Sequence, residues 1–176
     1  MKRSRMLASF VLVLVLGTGQ LAFAATSGTS DVILQANATV QVEILDATVT
    51  LSPTQTNYEA GYVQLLGASG IDVRIRTNSS TGASLKVKCA DASPQITLTD
   101  LLFKTQTAAG GSGTTQSTFT AITASDQDLW TTTTTSPTYS TIQTDVRVQN
   151  LWDYPDPGTG GTTAYTNTLT YTIVVQ

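Results

Sequence analysis

The chain of 176 residues contains no histidine and a single cysteine, Cys89. Without an imidazole, the commonest general base is missing, and with it the serine and cysteine nucleophile pairs and most zinc sites. No GxSxG elbow, P-loop or dinucleotide fingerprint appears. The remaining candidates for chemistry are carboxylates in loops: Asp126 and Asp128 in "SDQD", and Asp153 and Asp156 in "DYPDP". Clustered oxygens suit calcium, but neither stretch has the regular Asp-x-Asp-x-Asp-Gly spacing, so solvated turn residues are expected instead. The same pairs would cleave a glycoside only across a cleft. The expectation is therefore no catalytic residue, no metal and no cofactor, and a chain that is not an enzyme.

Aromatic residues offer a different chemistry, stacking on a sugar ring. Trp152 and Tyr154, in "LWDYP", are the candidate ligand-facing pair, with Trp130 as the other tryptophan. Against that reading, a sandwich of this size tends to bury its few large rings. In "ASLKVKC" the residues Ala83, Leu85, Val87 and Cys89 share a face, which places Cys89 in the core as a small hydrophobe. Asn37-Ala-Thr39 and Asn78-Ser-Ser80 fit the N-glycosylation pattern, a sequon common by chance.

The elements that would position these residues are extended. From Val32 to Ile44 the even positions are apolar (Val32, Leu34, Ala36, Ala38, Val40, Val42, Ile44), and most odd ones are polar. That period of two predicts a strand of about 40 Å, twice the ordinary length of about 17–20 Å. The apolar parity then switches to odd at Ala47, Val49 and Leu51, which read as a short strand ending at Ser52-Pro53, so the chain must bend or change partner at Leu45-Asp46. Two placements of the leading stretch follow: an edge strand that crosses between sheets, or a free arm that completes a neighbour's sheet. Further on, "YVQLL", "GIDVRIRT", "ASLKVKC", "QITLTDLLF", "STFTAIT", "LWTTTTT", "STIQTDVRV" and "AYTNTLTYTIVVQ" read as strands. Asn78–Gly82, between "GIDVRIRT" and "ASLKVKC", reads as the loop of a hairpin. No segment makes a long amphipathic helix. Eight to ten short strands predict an all-β fold, an immunoglobulin-like antiparallel β-sandwich with an N-terminal extended strand.

The N-terminus reads as an export signal. Lys2, Arg3 and Arg5 precede the short apolar core "MLASFVLVLVLG", and "AFA" ending at Ala24 offers a small-residue cleavage site. The expected organisation is residues 1–24 as signal peptide, 25–38 as extended arm and 39–176 as the sandwich domain. Cleavage leaves six basic against twelve acidic residues, a net charge of −6. So acidic a chain is a poor partner for nucleic acid. No membrane anchor is expected after cleavage, and the expected location is secreted, at the cell surface.

The order of features is similar to that of donor-strand fimbrial subunits. An alternating arm follows the cleavage site, then comes "IRTNSSTGASLKVKCADASPQITLTD", and the chain ends on "TNTLTYTIVVQ". Most of the mature chain resembles the cysteine-poor major pilins of the colonisation-factor class of chaperone–usher fimbriae. It also resembles secreted β-sandwich proteins that build biofilm filaments. Cys89 departs from the disulfide-bearing pilins. The resemblance implies a head-to-tail homopolymer of identical subunits, assembled with a periplasmic chaperone and usher. In it, Val32, Leu34, Ala36 and Ala38 of the arm plug an open groove in the next copy. Two further readings stand beside it: a monomeric secreted adhesin or carbohydrate-binding β-sandwich module, with Trp152 and Tyr154 facing solvent, and a calcium-dependent surface or matrix protein.

Overall fold

A computed structural model describes residues 33–107, 113–156 and 164–176. The chain divides into two units, Met1–Gln35 and Ala36–Gln176. In the first, residues 33–35 are described; they form no strand, and Leu34 is 88 % exposed. The expected signal segment and Val32 lie outside the described residues.

The second unit is an antiparallel two-sheet sandwich. Its described strands are β1 (Val40–Ile44), β2 (Tyr62–Leu65), β3 (Ile71–Thr77), β4 (Ala83–Cys89), β5 (Leu101–Thr107), β6 (Thr114–Thr115), β7 (Thr120–Ala121), β8 (Gln127–Thr132), β9 (Ser136–Gln149) and β10 (Leu169–Val175). One sheet runs β1-β3-β9-β5-β7, with β2 also paired to β9; the other runs β10-β4-β8-β6. The first sheet is organised by β9, whose 14 residues are long enough to take β3 and then β2 along one side and β5 along the other. Between β2 and β3, a 3-10 turn at Gly67–Ser69 kinks the chain. Asp145 of β9 holds that turn by accepting the Gly67 N–H at 2.6 Å, while Lys104 of β5 pairs with its other oxygen at 3.2 Å.

Alternation along the strands builds the core, as the period of two predicts. Val73 and Ile75 of β3, Leu85 and Val87 of β4, Phe103 of β5 and Ile142 and Val146 of β9 are all buried, and Trp130 of β8 closes the layer between the sheets. Cys89 is buried with its thiol free. Gly113 lies against the Trp130 indole with φ 101, and a Cβ there would collide with the ring.

Several expectations need correction. Asn78–Gly82 does not close a hairpin: β3 and β4 lie in different sheets, and the loop crosses between them. The crossing turns on Gly82, at φ 91 against the Thr132 backbone, where a side chain would not fit. Thr77 and Ser79 are buried as the loop passes over the core edge. The long strand from Val32 shrinks to Val40–Ile44. Its ladder partner β3 ends at Thr77 (paired with Val40), and just before it Asn37 and Thr39 bond to Asn78 of the loop instead of to a strand. Ala47–Leu51 forms no strand, although Val49 and Leu51 pack against the core. A six-residue helix, α1 (Gln55–Ala60), follows; it is too short for its periodicity to show in the sequence.

Candidate functional site

The two sheets leave apolar side chains open along one side of the sandwich. There β1 ends one sheet and β10 ends the other, and the two strands lie next to each other. In β1 the residues Val40, Val42 and Ile44 stand opposite the buried Thr77, Ile75 and Val73, so their side chains point inward. In β10 the same holds for Leu169, Tyr171, Ile173 and Val175, opposite Cys89, Val87, Leu85 and Ala83. Yet Val42 is 38 %, Ile44 44 % and Val175 41 % exposed. Inward-facing aliphatic residues that remain this open mark a seam where the core is short of cover.

The backbone of the seam is open at the same residues. Thr39 accepts the Asn78 N–H, and Leu45 donates to the Asp72 carbonyl, which fixes the odd positions of β1 as those bonded to β3. An antiparallel ladder alternates, so Val40, Val42 and Ile44 turn their N–H and C=O groups outward. On β10, Thr168 accepts from Ala90 and Gln176 donates to Gly82, which leaves Leu169, Tyr171, Ile173 and Val175 as the outward-bonding set. Each edge therefore offers side chains to the core and main-chain groups to an added strand at the same positions. At the middle of β10, Tyr171 buries its hydroxyl towards Thr144 of β9, and that burial raises the phenol above its ordinary pKa.

Asn78 fixes where the leading segment leaves the sandwich. Its Oδ1 accepts the Thr39 N–H at 2.6 Å, its Nδ2 donates to the Asn37 carbonyl at 3.0 Å, and its own N–H reaches Thr39 O. One side chain thus ties residues 37–39 to the crossing loop, close to the expected boundary between arm and domain. Ala36 and Ala38 are exposed, as is Leu34, while Val32 lies outside the described residues. The C-terminal end of β10 is tied to the same loop, beside the start of β1. The Thr81 hydroxyl donates to the Gln176 carbonyl.

The structure separates the two ligand-facing aromatics read from the sequence. Trp152 is 77 % exposed on a 3-10 turn, Leu151–Asp153. Tyr154 is half-buried and works as a structural node. Its hydroxyl donates to Asp100 at 2.7 Å and accepts the Thr97 N–H at 3.1 Å, and its ring meets Tyr165 edge-on at 5.3 Å. Burial, then the neighbouring Asp100 carboxylate, raises its pKa above the usual phenol value. The candidate carboxylates Asp126 and Asp128 are engaged too, the second of them on β8. Asp128 binds Lys86 at 2.7 Å and accepts from Ser84, contacts that hold it below the ordinary Asp range. Asp126 pairs with Lys88 at 3.6 Å.

Sequence reasoning named the arm but not the residues that would receive a strand. The alternation of β10 was readable, whereas the missing cover over it depends on which strands become sheet edges. Asn78 carried no signal beyond its place in a polar loop. Compared with family models, curated proteins and solved structures, the chain matches none.

Proposed function

We propose that the chain is a structural subunit of an extracellular filament, joined head to tail by strand donation. The arm of one copy, residues 25–38, adds to the seam between β1 and β10 of the next. The observation that carries this reading is the coincidence on β1 and β10 of inward, incompletely covered side chains with outward backbone groups that take no strand partner among the described residues. A strand laid there gains main-chain hydrogen bonds and covers apolar surface together, the physics of β-augmentation. Val32, Leu34, Ala36 and Ala38 have the spacing of two that such a strand needs. Full burial of a Val or Leu is worth about 1.5–3 kcal/mol, so Val32 and Leu34 would be the main anchors. A contact between unlike surfaces does not close on itself and so propagates as a fibre. The role is mechanical rather than catalytic, and export to the cell surface belongs to the same reading.

A synthetic peptide of residues 25–38 tests the acceptor side directly. It should bind the chain lacking those residues, protecting β1 and β10 amides from hydrogen exchange. Val42→Lys should weaken that binding at least about tenfold, because a charge enters the seam, while the thermal midpoint changes little, since an exposed lysine reaches water. Protection elsewhere on the molecule, or equal binding by the variant, would remove the seam from the account.

A further inference from the structure

Trp152 uses none of the seam residues and has its own surroundings. Tryptophan is usually buried to a high degree, so one that is 77 % exposed calls for a reason. Its ring is not loose. Nε1 donates to the Tyr58 carbonyl at 3.2 Å, and Tyr58 packs against the indole at 5.0 Å between centroids, tilted by 56°. The preceding residue, Leu151, is buried and anchors the turn. On α1, one helical turn apart, Gln55 donates from Nε2 to Glu59 Oε1 at 3.1 Å, and both side chains are exposed. Gln55, Tyr58, Glu59 and Trp152 line a shallow hollow of about 430 Å³.

This is a fixed apolar plate beside a ready set of polar groups. The indole has spent its only donor on Tyr58, so what it shows outward is a π face, which attracts weakly positive C–H groups. Glu59 accepts hydroxyl hydrogen bonds strongly because it is charged, and Gln55 keeps a free carbonyl oxygen and a second amide hydrogen. A ligand matching both must carry a flat C–H face and hydroxyls at its rim. We propose that this hollow is a binding site for an uncharged pyranose whose ring substituents are equatorial, as in β-linked glucose or N-acetylglucosamine chains. The equatorial pattern leaves the axial hydrogens to cover the indole, and the Glu59 carboxylate disfavours anionic sugars.

The two tryptophans make the test selective, since Trp130 is buried and Trp152 is not. The full chain, labelled with 15N at tryptophan, is titrated with cellohexaose, N-acetylchitohexaose and polygalacturonate while both indole N–H signals are followed. The site predicts a saturable shift of the Trp152 signal in the millimolar range or tighter with at least one of the neutral sugars, with Trp130 unmoved and no response to the anionic polymer. By calorimetry, Trp152→Ala should lose at least about tenfold in affinity, and Trp152→Phe should recover part of it, both with unchanged thermal midpoints. Silence of the Trp152 signal with both neutral sugars would overturn the proposal. So would equal movement of the two signals, or a Trp152 shift that follows protein concentration alone, which would mark a contact between copies.

Discussion

The bend after β1 brings two carboxylates near each other. The apolar parity breaks at Leu45-Asp46, and there Asp46 accepts the Asp72 N–H at 2.8 Å, which ends the pairing of β1 with β3. The arrangement places the side chain of Asp72 in an unfavourable spot. Burial, and then the negative charge of Asp46, raise its pKa above the ordinary Asp value. An unfolded Asp titrates near about 3.9, so ionising Asp72 opposes folding. The penalty is absent below that ordinary range, grows as the pH rises through the raised folded value and is complete at neutrality. Asp72→Asn is therefore expected to melt higher than the parent at pH 7. The difference should close as the pH is lowered to about 3, read from thermal unfolding across the pH series. A variant that is less stable at pH 7 would show that the carboxylate is needed for something other than its charge. Asp100 takes the opposite solution: three neighbours serve a buried carboxyl residue, with Asn150 and Tyr154 donating to its side chain and Gln149 N–H to its carbonyl.

At the scale of elements, crossings between sheets decide the fold. From β3 to β10 each strand lies in the other sheet from the one before it, so nearly every loop passes over an edge of the core. The Asn78–Gly82 loop shows what such a passage requires. Gly82→Ala puts a side chain at φ 91 and against the Thr132 backbone, and should cost about 2 kcal/mol or more in urea unfolding. A loss near zero would mean that the loop has room to relax and does not set the crossing. This crossing also shows where the sequence stops being informative. Alternation in Ile71–Thr77 and Ala83–Cys89 was readable because each side chain obeys the same period on either sheet. For that same reason it does not say which sheet receives the strand. The length of β1 was unreadable because strand ends depend on the partner: Val32–Ala38 alternate as well as Val40–Ile44 do, but β3 stops at Thr77. At the candidate sites, the spacing of the arm was plain in the sequence. The seam and the Tyr58–Trp152 plate arise between distant segments, 94 residues apart in the second case, and no local pattern announces them.

Across the molecule, charge is sparse and largely engaged. Four ion pairs occur among the described residues, and three of them join neighbouring strands within a sheet: Arg74 with Glu43, Lys86 with Asp128 and Lys104 with Asp145. On the outer side of the larger sheet, Arg74 and Arg76 lie over Tyr139, and Arg147 lies between Tyr62 and Phe119. Cation–π contacts of this kind cover aromatic surface and occupy the cations, which leaves hydroxyl and amide groups as most of the polar exterior. The β1/β10 side is different, since it carries half-exposed aliphatic side chains and sheet edges with no further strand partner among the described residues. The most direct measurement is the size distribution of the purified chain from residue 25 onward beside the chain from residue 39 onward, by light scattering and electron microscopy at matched concentrations. Strand donation gives filaments that lengthen with concentration for the first and folded monomers for the second. A longer chain that stays monomeric at every concentration, or a shorter chain that polymerises equally well, would contradict it.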